Sequence, residues 1–437
     1  MNAPVGDGPV DRRVVIASWW PLAASWLLMS AEQPAIAAVV ARLADAETHL
    51  AAWGGVVFAF ALVIEAPIIM LLAASTELVR DRASWRSLRR FTHRAGATLT
   101  VLHLLLVATP MYGVVVGDLL GVPEPALSTA RIGLALVLPW SWAIAWRRFN
   151  QGILIRNGYA RVVGLGTALR LATNASVLAI GWLANGPGVV VAALALSSGV
   201  IVEGIYASVR VKPVVRERLA EDAPGEQPLV GRAFWSFYLP LASTPLVTLL
   251  VQPLGTGALS RMPEVLASLA VWPVLNGLSF VLSAPGLALN EVVVAMWRRD
   301  GARVELHRFT RKLAVLMTVI VLALAATPLS TLWMREVAAL PDDLAALASV
   351  ALWIIVPVPA SRVMQSWYQG VLVASRSTRA VSESVVVFAI VTAGFLLAFV
   401  RWPVGPGLIA ALSAFMLGRV AQTLHLAIRC RALLRAT

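Results

Sequence analysis

The chain has 437 residues, of which 59% are hydrophobic and 14% charged, and its mean hydropathy is +0.79. Soluble globular domains carry about 25% charged residues, so this composition excludes an ordinary soluble domain and indicates a membrane protein. The net charge of +13 requires nucleic acid to be considered as a partner. The single cysteine, Cys430, excludes a disulfide framework and a cysteine-based zinc or iron–sulfur site.

Apolar stretches long enough to cross a bilayer, which takes roughly 20 residues, recur along the chain from Val14 onward. The N-terminal segment MNAPVGDGPVDRR is polar and basic, but the apolar run after it exceeds signal-peptide length and lacks a clean cleavage site. That run is therefore predicted to be the first of twelve spans in an all-α membrane protein. The predicted spans are 14–40, 51–76, 95–117, 127–147, 160–184, 187–209, 233–258, 264–290, 311–334, 343–368, 378–400 and 404–428.

The basic residues lie mainly on one side of this arrangement. Of the 36 Lys and Arg residues, 28 fall at the N-terminus, at the C-terminus, in loops that lead from an even-numbered to an odd-numbered span, or at the span ends that border these loops. This asymmetry predicts a multi-pass protein of the plasma (inner) membrane with both termini in the cytoplasm. It also explains the excess charge by topology and argues against a nucleic-acid partner. The eight others are Arg42, Arg261, Arg335 and Arg401 on the opposite side, and Arg131, Arg170, Arg362 and Arg419 inside spans.

The chain repeats itself at about half its length. At an offset of 219, Pro21-Leu22-Ala23 matches Pro240-Leu241-Ala242, and Gln33-Pro34 matches Gln252-Pro253. Matches of polar residues, Pro and Gly in one register are hard to obtain by chance in an apolar chain, so they predict an internal duplication. The matches at an offset of 218 are Ala66-Pro67 with Ala284-Pro285, Arg90-Phe91-Thr92 with Arg308-Phe309-Thr310, Ala108-Thr109-Pro110 with Ala326-Thr327-Pro328, Pro139 with Pro357, and Gln151-Gly152 with Gln369-Gly370.

Each half contains six predicted spans, so the two halves enter the membrane in the same orientation and form a parallel repeat. We predict an N-terminal six-helix lobe at 1–212, a cytoplasmic connector at 213–232 and a C-terminal six-helix lobe at 233–437. Parallel repeats of this kind are typical of carriers that expose a site to either side of the membrane by rocking.

Two glutamates inside spans are candidates for coupling. Glu32 lies in the first span beside Gln33-Pro34, and Glu65 lies in the second span directly before Ala66-Pro67. An ionisable group in hydrocarbon costs a few kcal/mol or more, so each one is a functional candidate by default. A carboxyl beside a helix break is suited to carry a proton. The alternative is that either glutamate forms a static ion pair with an arginine.

Arginines inside spans are candidates for binding anions. Arg170, Arg362 and Arg419 each carry a permanent positive charge on a planar fork that matches carboxylate and phosphate groups. The alternatives are pairing with glutamate and, for Arg131 near a span end, snorkelling to the interface. Glu203 and Arg419 fall six residues after Ser197 and Ser413, in comparable places in the halves, and pairing between them is a further alternative.

The sequence offers few neutral polar candidates inside spans and no enzymatic motif. Asn276 is a candidate hydrogen-bonding residue within a span. The sequence contains no GxxxxGK[ST] loop, no HExxH motif and no hydrolytic triad on a soluble scaffold. We therefore predict neither an enzyme nor an ATPase, with no cofactor and no metal, and transport driven by a gradient of substrate or of an ion such as H+ or Na+.

Two short motifs link the chain to a known superfamily. The stretches RRFNQG at 147–152 and SWYQG at 366–370, in tandem six-helix halves, resemble MATE-type members of the multidrug/oligosaccharidyl-lipid/polysaccharide (MOP) flippase superfamily. Several segments are similar to the progressive ankylosis protein (ANKH) family. They are Glu32-Gln33, Ala145-Trp146, Gly152-Ile153-Leu154 with Tyr159, Phe234-Trp235, and Pro357-Val358-Pro359 with Arg362.

The resemblance implies a twelve-helix, V-shaped carrier that exports small polyanions such as pyrophosphate, nucleotides or citrate. It also implies that Glu32 occupies the position of the family's acidic residue in the first helix, and Arg362 that of the arginine after Pro-Val-Pro. The chain departs from the family after Pro67, where it reads Ile68-Ile69-Met70 in place of charged residues.

Alternative functions remain open at this point. The first hypothesis is an ANKH-like anion exporter in which Arg170, Arg362 and Arg419 meet the anion, and the second is a MATE-like antiporter of drug-like cations coupled through Glu32 and Glu65. A lipid-linked sugar flippase ranks lower because such relatives usually have additional helices, and a membrane scaffold that does not transport ranks below it. A site with unneutralised arginines favours the first hypothesis, and exposed glutamates favour the second. A monomer with a small-molecule substrate is expected in either case.

Overall fold

The computed structural model describes residues 10–219, 231–403 and 405–435. Within these ranges every regular element is a helix, as expected where a bilayer leaves backbone groups no other partner. Three short π-helical segments interrupt the α-helices, at Ala51–Val57, Gly113–Leu119 and Trp333–Val337. The helices are α1 (Arg12–Ser30), α2 (Glu32–Val40), α3 (Ala46–Leu50), α4 (Phe58–Ile69), α5 (Leu71–Leu78), α6 (Arg82–Ala108), α7 (Glu124–Leu136), α8 (Leu138–Arg156), α9 (Ala160–Leu183), α10 (Gly188–Arg218), α11 (Gly231–Leu259), α12 (Val265–Met296), α13 (Ala302–Ala326), α14 (Leu329–Leu332), α15 (Asp342–Ile355), α16 (Val358–Ala374), α17 (Thr378–Arg401) and α18 (Gly407–Arg435).

The predicted all-α membrane fold is confirmed. In the described part of the chain, 11 helices are long and apolar enough to cross a membrane, and α7 with α8 forms a twelfth candidate that is bent by 43°. This bent pair corresponds to the predicted span 127–147, and α8 continues beyond that span to Arg156.

The predicted connector, 213–232, is partly helical. Helix α10 runs through Pro213 to Arg218, and α11 begins at Gly231. Residues 220–230 of the connector and the first nine residues of the N-terminal segment lie outside the described residues.

Packing divides the chain into two compact units. The middle unit consists of Val39–Ser260, and the terminal unit consists of Met1–Ala38 together with Arg261–Thr437. Within the terminal unit α1 packs on α12, and within the middle unit α11 packs on α4. The units therefore differ from the sequence halves 1–212 and 233–437, because the first helix of each half packs with helices of the other half.

An aromatic side chain in the middle unit binds the carbonyl next to a helix break. Tyr238 on α11 donates its hydroxyl to the carbonyl oxygen of Pro67 on α4 at 2.7 Å. The Tyr238 ring packs edge-on against Phe91 on α6, with ring centroids 5.0 Å apart. This contact joins three helices at one point.

The terminal unit contains the same arrangement at the repeat offset. Trp19 on α1 donates its indole N–H to the carbonyl oxygen of Pro285 on α12 at 2.9 Å. The Trp19 ring packs edge-on against Phe309 on α13, with centroids 5.3 Å apart. The two halves have therefore kept the contact itself, although tryptophan replaces tyrosine as the donor.

Backbone conformation follows the same register. Positive φ angles recur at matched positions even where the residue type has changed, so the chain path was duplicated along with the sequence. The matched pairs are Asp45 (51°) with Glu264 (56°), Gly121 (73°) with Ala339 (55°), and Gly158 (85°) with Arg376 (59°).

Gly152 allows α8 to approach α5 closely. A Cβ atom added at Gly152 would lie 1.9 Å from Oγ of Ser75 and 2.3 Å from the carbonyl oxygen of Leu72. Its counterpart Gly370 is similarly confined, with a side-chain atom of Val293 2.7 Å from an added Cβ. The duplicated Gln-Gly pair thus marks a point of close helix packing.

We predict that Gly152→Ala lowers the thermal-unfolding midpoint in detergent, because a methyl group forced against backbone costs about 1–3 kcal/mol or more. The matched control is Gly164→Ala on α9, where nothing lies within 4 Å of the added Cβ. Alanine favours a helix over glycine, so the control should unfold at the same or a higher temperature. Equal behaviour of the two variants, measured by tryptophan fluorescence on heating, would show that the predicted steric contact is absent.

Candidate functional site

Five ionisable side chains meet inside the middle unit. They are Arg147 and Arg148 on α8, Arg170 on α9, Glu203 on α10 and Glu65 on α4. Arg147 and Gln151 are four residues apart on α8, so they lie on the same face, and both side chains reach the same carboxylate. Arg148 lies on an adjacent face and contacts the other glutamate.

Glu203 is the centre of this cluster, with only 1% of its surface exposed. Arg147 donates through Nη1 to Oε2 of Glu203 at 2.5 Å, and Nε of Arg170 lies 3.4 Å from the same oxygen. Oε1 accepts from Nε2 of Gln151 at 2.9 Å and from the hydroxyl of Thr167 at 3.3 Å. This set of charged and neutral donors stabilises the buried carboxylate. Glu203 thus pairs with Arg147 and Arg170, and not with Arg419 as one of the sequence-based alternatives proposed.

Glu65 also has a cationic partner. Its Oε1 lies 3.6 Å from Nη2 of Arg148, and the glutamate is buried. The sequence offered no partner for Glu65, because Arg148 was assigned to a loop beyond the end of a predicted span. The structure supports the alternative prediction of an ion pair for this glutamate.

Neither Arg147 nor Arg148 was predicted from the sequence as a site residue. Hydropathy ends the span at the first charged residue, whereas α8 continues because its arginines face carboxylates on α10 and α4. The available signal was the duplicated Gln-Gly pair that follows them, at Gln151-Gly152 and Gln369-Gly370. With three arginines and two glutamates, the cluster is nearly neutral and carries one excess positive charge.

A different polar cluster lies in the terminal unit, around Arg362 on α16 and Arg419 on α18. Arg362 donates through Nη1 to Oε1 of Gln365 at 3.2 Å, and Arg419 donates to Oε1 of Gln422 at 3.4 Å. Both arginines are half-buried, and each positive charge is close enough to act on the other. Neither forms an ion pair with any carboxylate in the described residues, so this pair of cations is not neutralised.

Gln365 holds the two helices of the terminal cluster together. Its side-chain amide donates to the carbonyl oxygen of Arg419 at 3.2 Å and to the hydroxyl of Thr423 at 3.0 Å, while its amide oxygen accepts from Arg362. The guanidinium carbon of Arg419 also lies 4.5 Å from the ring centroid of Phe388 on α17. Neutral and aromatic groups therefore orient both arginines without cancelling their charge.

The two clusters occupy matched positions of the repeat. Arg147 corresponds to Gln365 and Arg170 to Phe388 at an offset of 218, and Glu203 corresponds to Arg419 at an offset of 216. In the middle unit these positions form an ion-paired trio. In the terminal unit the same three positions are Gln365, Phe388 and Arg419, so the trio has one charged member, the unneutralised Arg419.

The remaining predicted site residues are Glu32, Gln33 and Asn276, all in the terminal unit. Glu32 and Gln33 are half-buried at the start of α2, which packs on α12 where Pro34 meets Gly277. A Cβ added at Gly277 would lie 3.1 Å from Cγ of Pro34. Asn276 precedes Gly277, so Glu32, Gln33 and Asn276 lie in the same region of the terminal unit as this helix contact.

Arg131, the fourth arginine within a predicted span, has a local structural role. It is exposed, it donates through Nε to the carbonyl oxygen of Val107 at 2.8 Å, and its guanidinium carbon lies 5.4 Å from the ring centroid of Tyr112. Among the described residues no group of three or more His, Cys, Asp or Glu side chains is placed to hold a metal ion.

Comparisons with known proteins show the fold. No protein-family profile matches the chain, and no curated protein sequence matches it. Solved structures of MOP-superfamily proteins match over nearly the whole chain, at identities that demonstrate a shared fold alone.

An inward-facing multidrug resistance MATE family transporter of the MOP superfamily aligns with a TM-score of 0.68 and 17% identity, over 96% of this chain and 99% of that chain. The lipid II flippase MurJ in an inward closed conformation aligns with a TM-score of 0.72 and 13% identity, over 94% and 87%. A MOP superfamily transporter from Pyrococcus furiosus, described as having a binding pocket of reverse polarity, aligns with a TM-score of 0.63 and 15% identity, over 100% and 99%.

We predict that Glu203→Gln destabilises the protein by about 3–5 kcal/mol, because it leaves Arg147 and Arg170 buried without their shared carboxylate. The double variant Arg147→Gln with Glu203→Gln should recover part of this loss, since it removes one of the uncompensated charges. The measurement is thermal unfolding in detergent.

The control for this prediction is Glu77→Gln. Its carboxylate is exposed and pairs with Arg80 at 3.2 Å, so the unfolding midpoint should change little. A Glu203→Gln variant as stable as this control would exclude the proposed charge network.

Proposed function

We propose that this chain is a secondary-active transporter that exports small organic or phosphate-bearing anions, such as pyrophosphate, nucleotides or citrate, across the plasma membrane. The MOP-superfamily fold supports transport by alternating access without an enzymatic step. The choice of an anion is supported by one observation, the unneutralised pair Arg362 and Arg419 in the terminal unit.

An unneutralised cation inside a membrane span is costly. Charged groups at the centre of a bilayer cost a few kcal/mol or more, and they are normally paired or face a water-filled cavity. Two neighbouring arginines also repel each other. An anion that binds both would supply the missing charge, and the planar guanidinium suits the two-point recognition of carboxylate or phosphate.

The arrangement of the acidic residues supports the same choice. A cation carrier needs a carboxylate that is available to its substrate, but Glu65 and Glu203 are engaged by Arg148, Arg147 and Arg170. We assign Glu32 to coupling or gating, since it is half-buried beside the break between α1 and α2. Gln33 and Asn276 are proposed to supply neutral hydrogen bonds to the substrate.

Other parts of the proposal come from the sequence. The similarity of Pro357-Val358-Pro359 and Arg362 to the ANKH family favours anion export, and the middle cluster, to which Arg170 belongs, carries one excess positive charge. The basic loops favour cytoplasmic termini, and a monomer is sufficient for such a carrier. A solved structure of this fold whose binding pocket is described as reversed in polarity is consistent with different substrates on one architecture.

The alternative function is a proton- or sodium-coupled MATE-type antiporter of organic cations. The half-buried Glu32 in α2 and the similarity in fold to a multidrug resistance transporter favour it. Under this alternative Glu32 exchanges a proton for the cation.

We predict that proteoliposomes containing the purified protein take up labelled citrate or pyrophosphate, and that Arg362→Ala and Arg419→Ala each reduce this flux at least tenfold. Arg362→Lys should retain part of the flux, because it keeps the charge and loses the planar fork. The assay is run with an imposed pH gradient and in its absence, so that proton coupling through Glu32 is tested by Glu32→Gln.

The matched control is Arg131→Ala, which removes an arginine from a span without touching either cluster. It should transport citrate or pyrophosphate at the wild-type rate. Flux of a lipophilic cation that Glu32→Gln abolishes and Arg362→Ala leaves unchanged would contradict the proposal and support the MATE-type alternative.

A further inference from the structure

A cavity of about 630 Å³ lies within the middle unit, and none of the five residues of the ionised cluster lines it. Its walls come from α6, from the start of α11 and from residues near the break between α4 and α5. The Tyr238 and Pro67 contact forms part of the wall, so the cavity lies beside a duplicated structural element.

One end of this cavity is cationic. Arg90 and Arg94 line it from positions one helical turn apart on α6, and both are exposed. The lining contains no aspartate or glutamate, and neither arginine forms an ion pair with an acidic residue in the described ranges. Ser84 and Ser87 line the same end one to two turns earlier on the helix.

The other end of the cavity is apolar. Leu99 lines it nine residues beyond Arg90 on α6, which corresponds to about 13 Å along the helix axis. The aromatic rings of Phe91, which follows Arg90 on α6, and of Phe234 and Trp235 on α11 form a side wall beside the cationic end, with Phe91 and Phe234 centroids 4.6 Å apart. Trp235 is 52% exposed, and exposed tryptophan is typical of the membrane interface.

The direction of α6 relates the two ends to the membrane. The first half of this candidate span carries its arginines, and the second half, from Ala95 to Ala108, contains no charged residue. We therefore expect the cationic end of the cavity to lie at headgroup level and the apolar end to extend toward the hydrocarbon. A free anion matches only the first of these ends.

We propose that this cavity binds an anionic phospholipid, with the headgroup phosphate on Arg90 and Arg94 and an acyl chain along the aromatic and aliphatic wall. Basic grooves between helices at headgroup level are suited to anionic lipids, to which each basic side chain contributes electrostatic attraction. The lipid is a bound partner of the middle unit, and the proposal does not depend on the nature of the transported substrate.

The repeat contains an internal comparison. In the terminal unit the counterparts of Arg90, Phe91 and Arg94 are Arg308, Phe309 and Lys312, which line a cavity of only about 160 Å³. There the counterpart of Ser87 is Glu305, whose carboxylate accepts from Arg308 at 2.7 Å.

The duplicated groove in the terminal unit is thus smaller than the cavity of the middle unit. Arg12 also lines the groove of the terminal unit, but Glu305 neutralises part of the positive charge of that groove. Of the two grooves, the cavity in the middle unit is the one suited to a phospholipid with an anionic headgroup.

The test uses the full-length protein in detergent and measures binding of phosphatidylglycerol by native mass spectrometry, with phosphatidylcholine as the zwitterionic comparison. We expect tighter binding of phosphatidylglycerol. Arg90→Ala with Arg94→Ala should weaken it by roughly thirtyfold, at about 1 kcal/mol for each basic side chain. The matched control, Arg308→Ala with Lys312→Ala, should bind as the wild type does.

A second variant introduces into the cavity of the middle unit the carboxylate that the groove of the terminal unit contains. Ser87→Glu places a carboxylate three residues before Arg90, as Glu305 stands before Arg308, and it should weaken phosphatidylglycerol binding while leaving phosphatidylcholine unaffected. Because Arg90 and Arg94 are exposed, their replacement tests the site even if Ser87→Glu folds poorly.

Three results would overturn the proposal. They are equal binding of both lipids, unchanged phosphatidylglycerol binding in the Arg90 and Arg94 double variant, and displacement of the lipid by millimolar inorganic phosphate. The last result would identify a site for small anions only.

Discussion

Hydrocarbon cannot solvate a charge, so each ionisable residue inside a membrane span needs a partner of opposite charge, water or a ligand. In the middle unit the cost is met inside the chain, because Glu203 and Glu65 face Arg147, Arg148 and Arg170. In the terminal unit it is not met by any described carboxylate. The fold thus combines a cluster that is nearly neutralised within the chain with a second cluster whose two arginines have no carboxylate partner among the described residues, and we propose that an anion binds the second cluster.

Duplication explains how one architecture came to contain both clusters. The contacts that shape the backbone are the same in the two units, as the Tyr238–Pro67 and Trp19–Pro285 hydrogen bonds and the matched positive φ angles show. What has changed is charge. A trio of arginine, arginine and glutamate in one unit corresponds to glutamine, phenylalanine and Arg419 in the other. The same kind of change separates Ser87 from Glu305 in the two grooves beside α6 and α13.

The sequence was sufficient to predict the helical membrane fold and the repeat, because both depend on patterns that are local or periodic along the chain. Span ends were harder to predict. Hydropathy places Arg147 at the boundary between a span and a loop, and its partner Glu203 lies 56 positions away in the sequence, so the burial of this arginine follows from tertiary packing alone. The sequence also could not predict that the first helix of each half packs with the helices of the other half. A duplicated sequence shows the same matches between its halves whichever unit each helix packs against.

For the individual site residues, the sequence identified candidates, whereas their partners depend on tertiary contacts. The unneutralised state of Arg362 and Arg419 was one of two sequence-based alternatives, and only the side-chain contacts distinguish it from pairing with glutamate. For Glu65 the contacts support the opposite alternative, an ion pair with Arg148. A list of charged residues within spans therefore identifies candidates, but their partners decide which of them are available to a ligand.

The most direct test of this account is ligand-induced thermal stabilisation of the purified protein by pyrophosphate or citrate, compared with tetraphenylphosphonium. An anion that binds the folded protein at 100 times its dissociation constant stabilises it by about 2.7 kcal/mol. We expect this stabilisation for the wild type and its loss in the Arg362→Ala, Arg419→Ala double variant. Stabilisation by tetraphenylphosphonium and not by the anions, retained in the double variant, would contradict the proposal that the terminal cluster binds an anion.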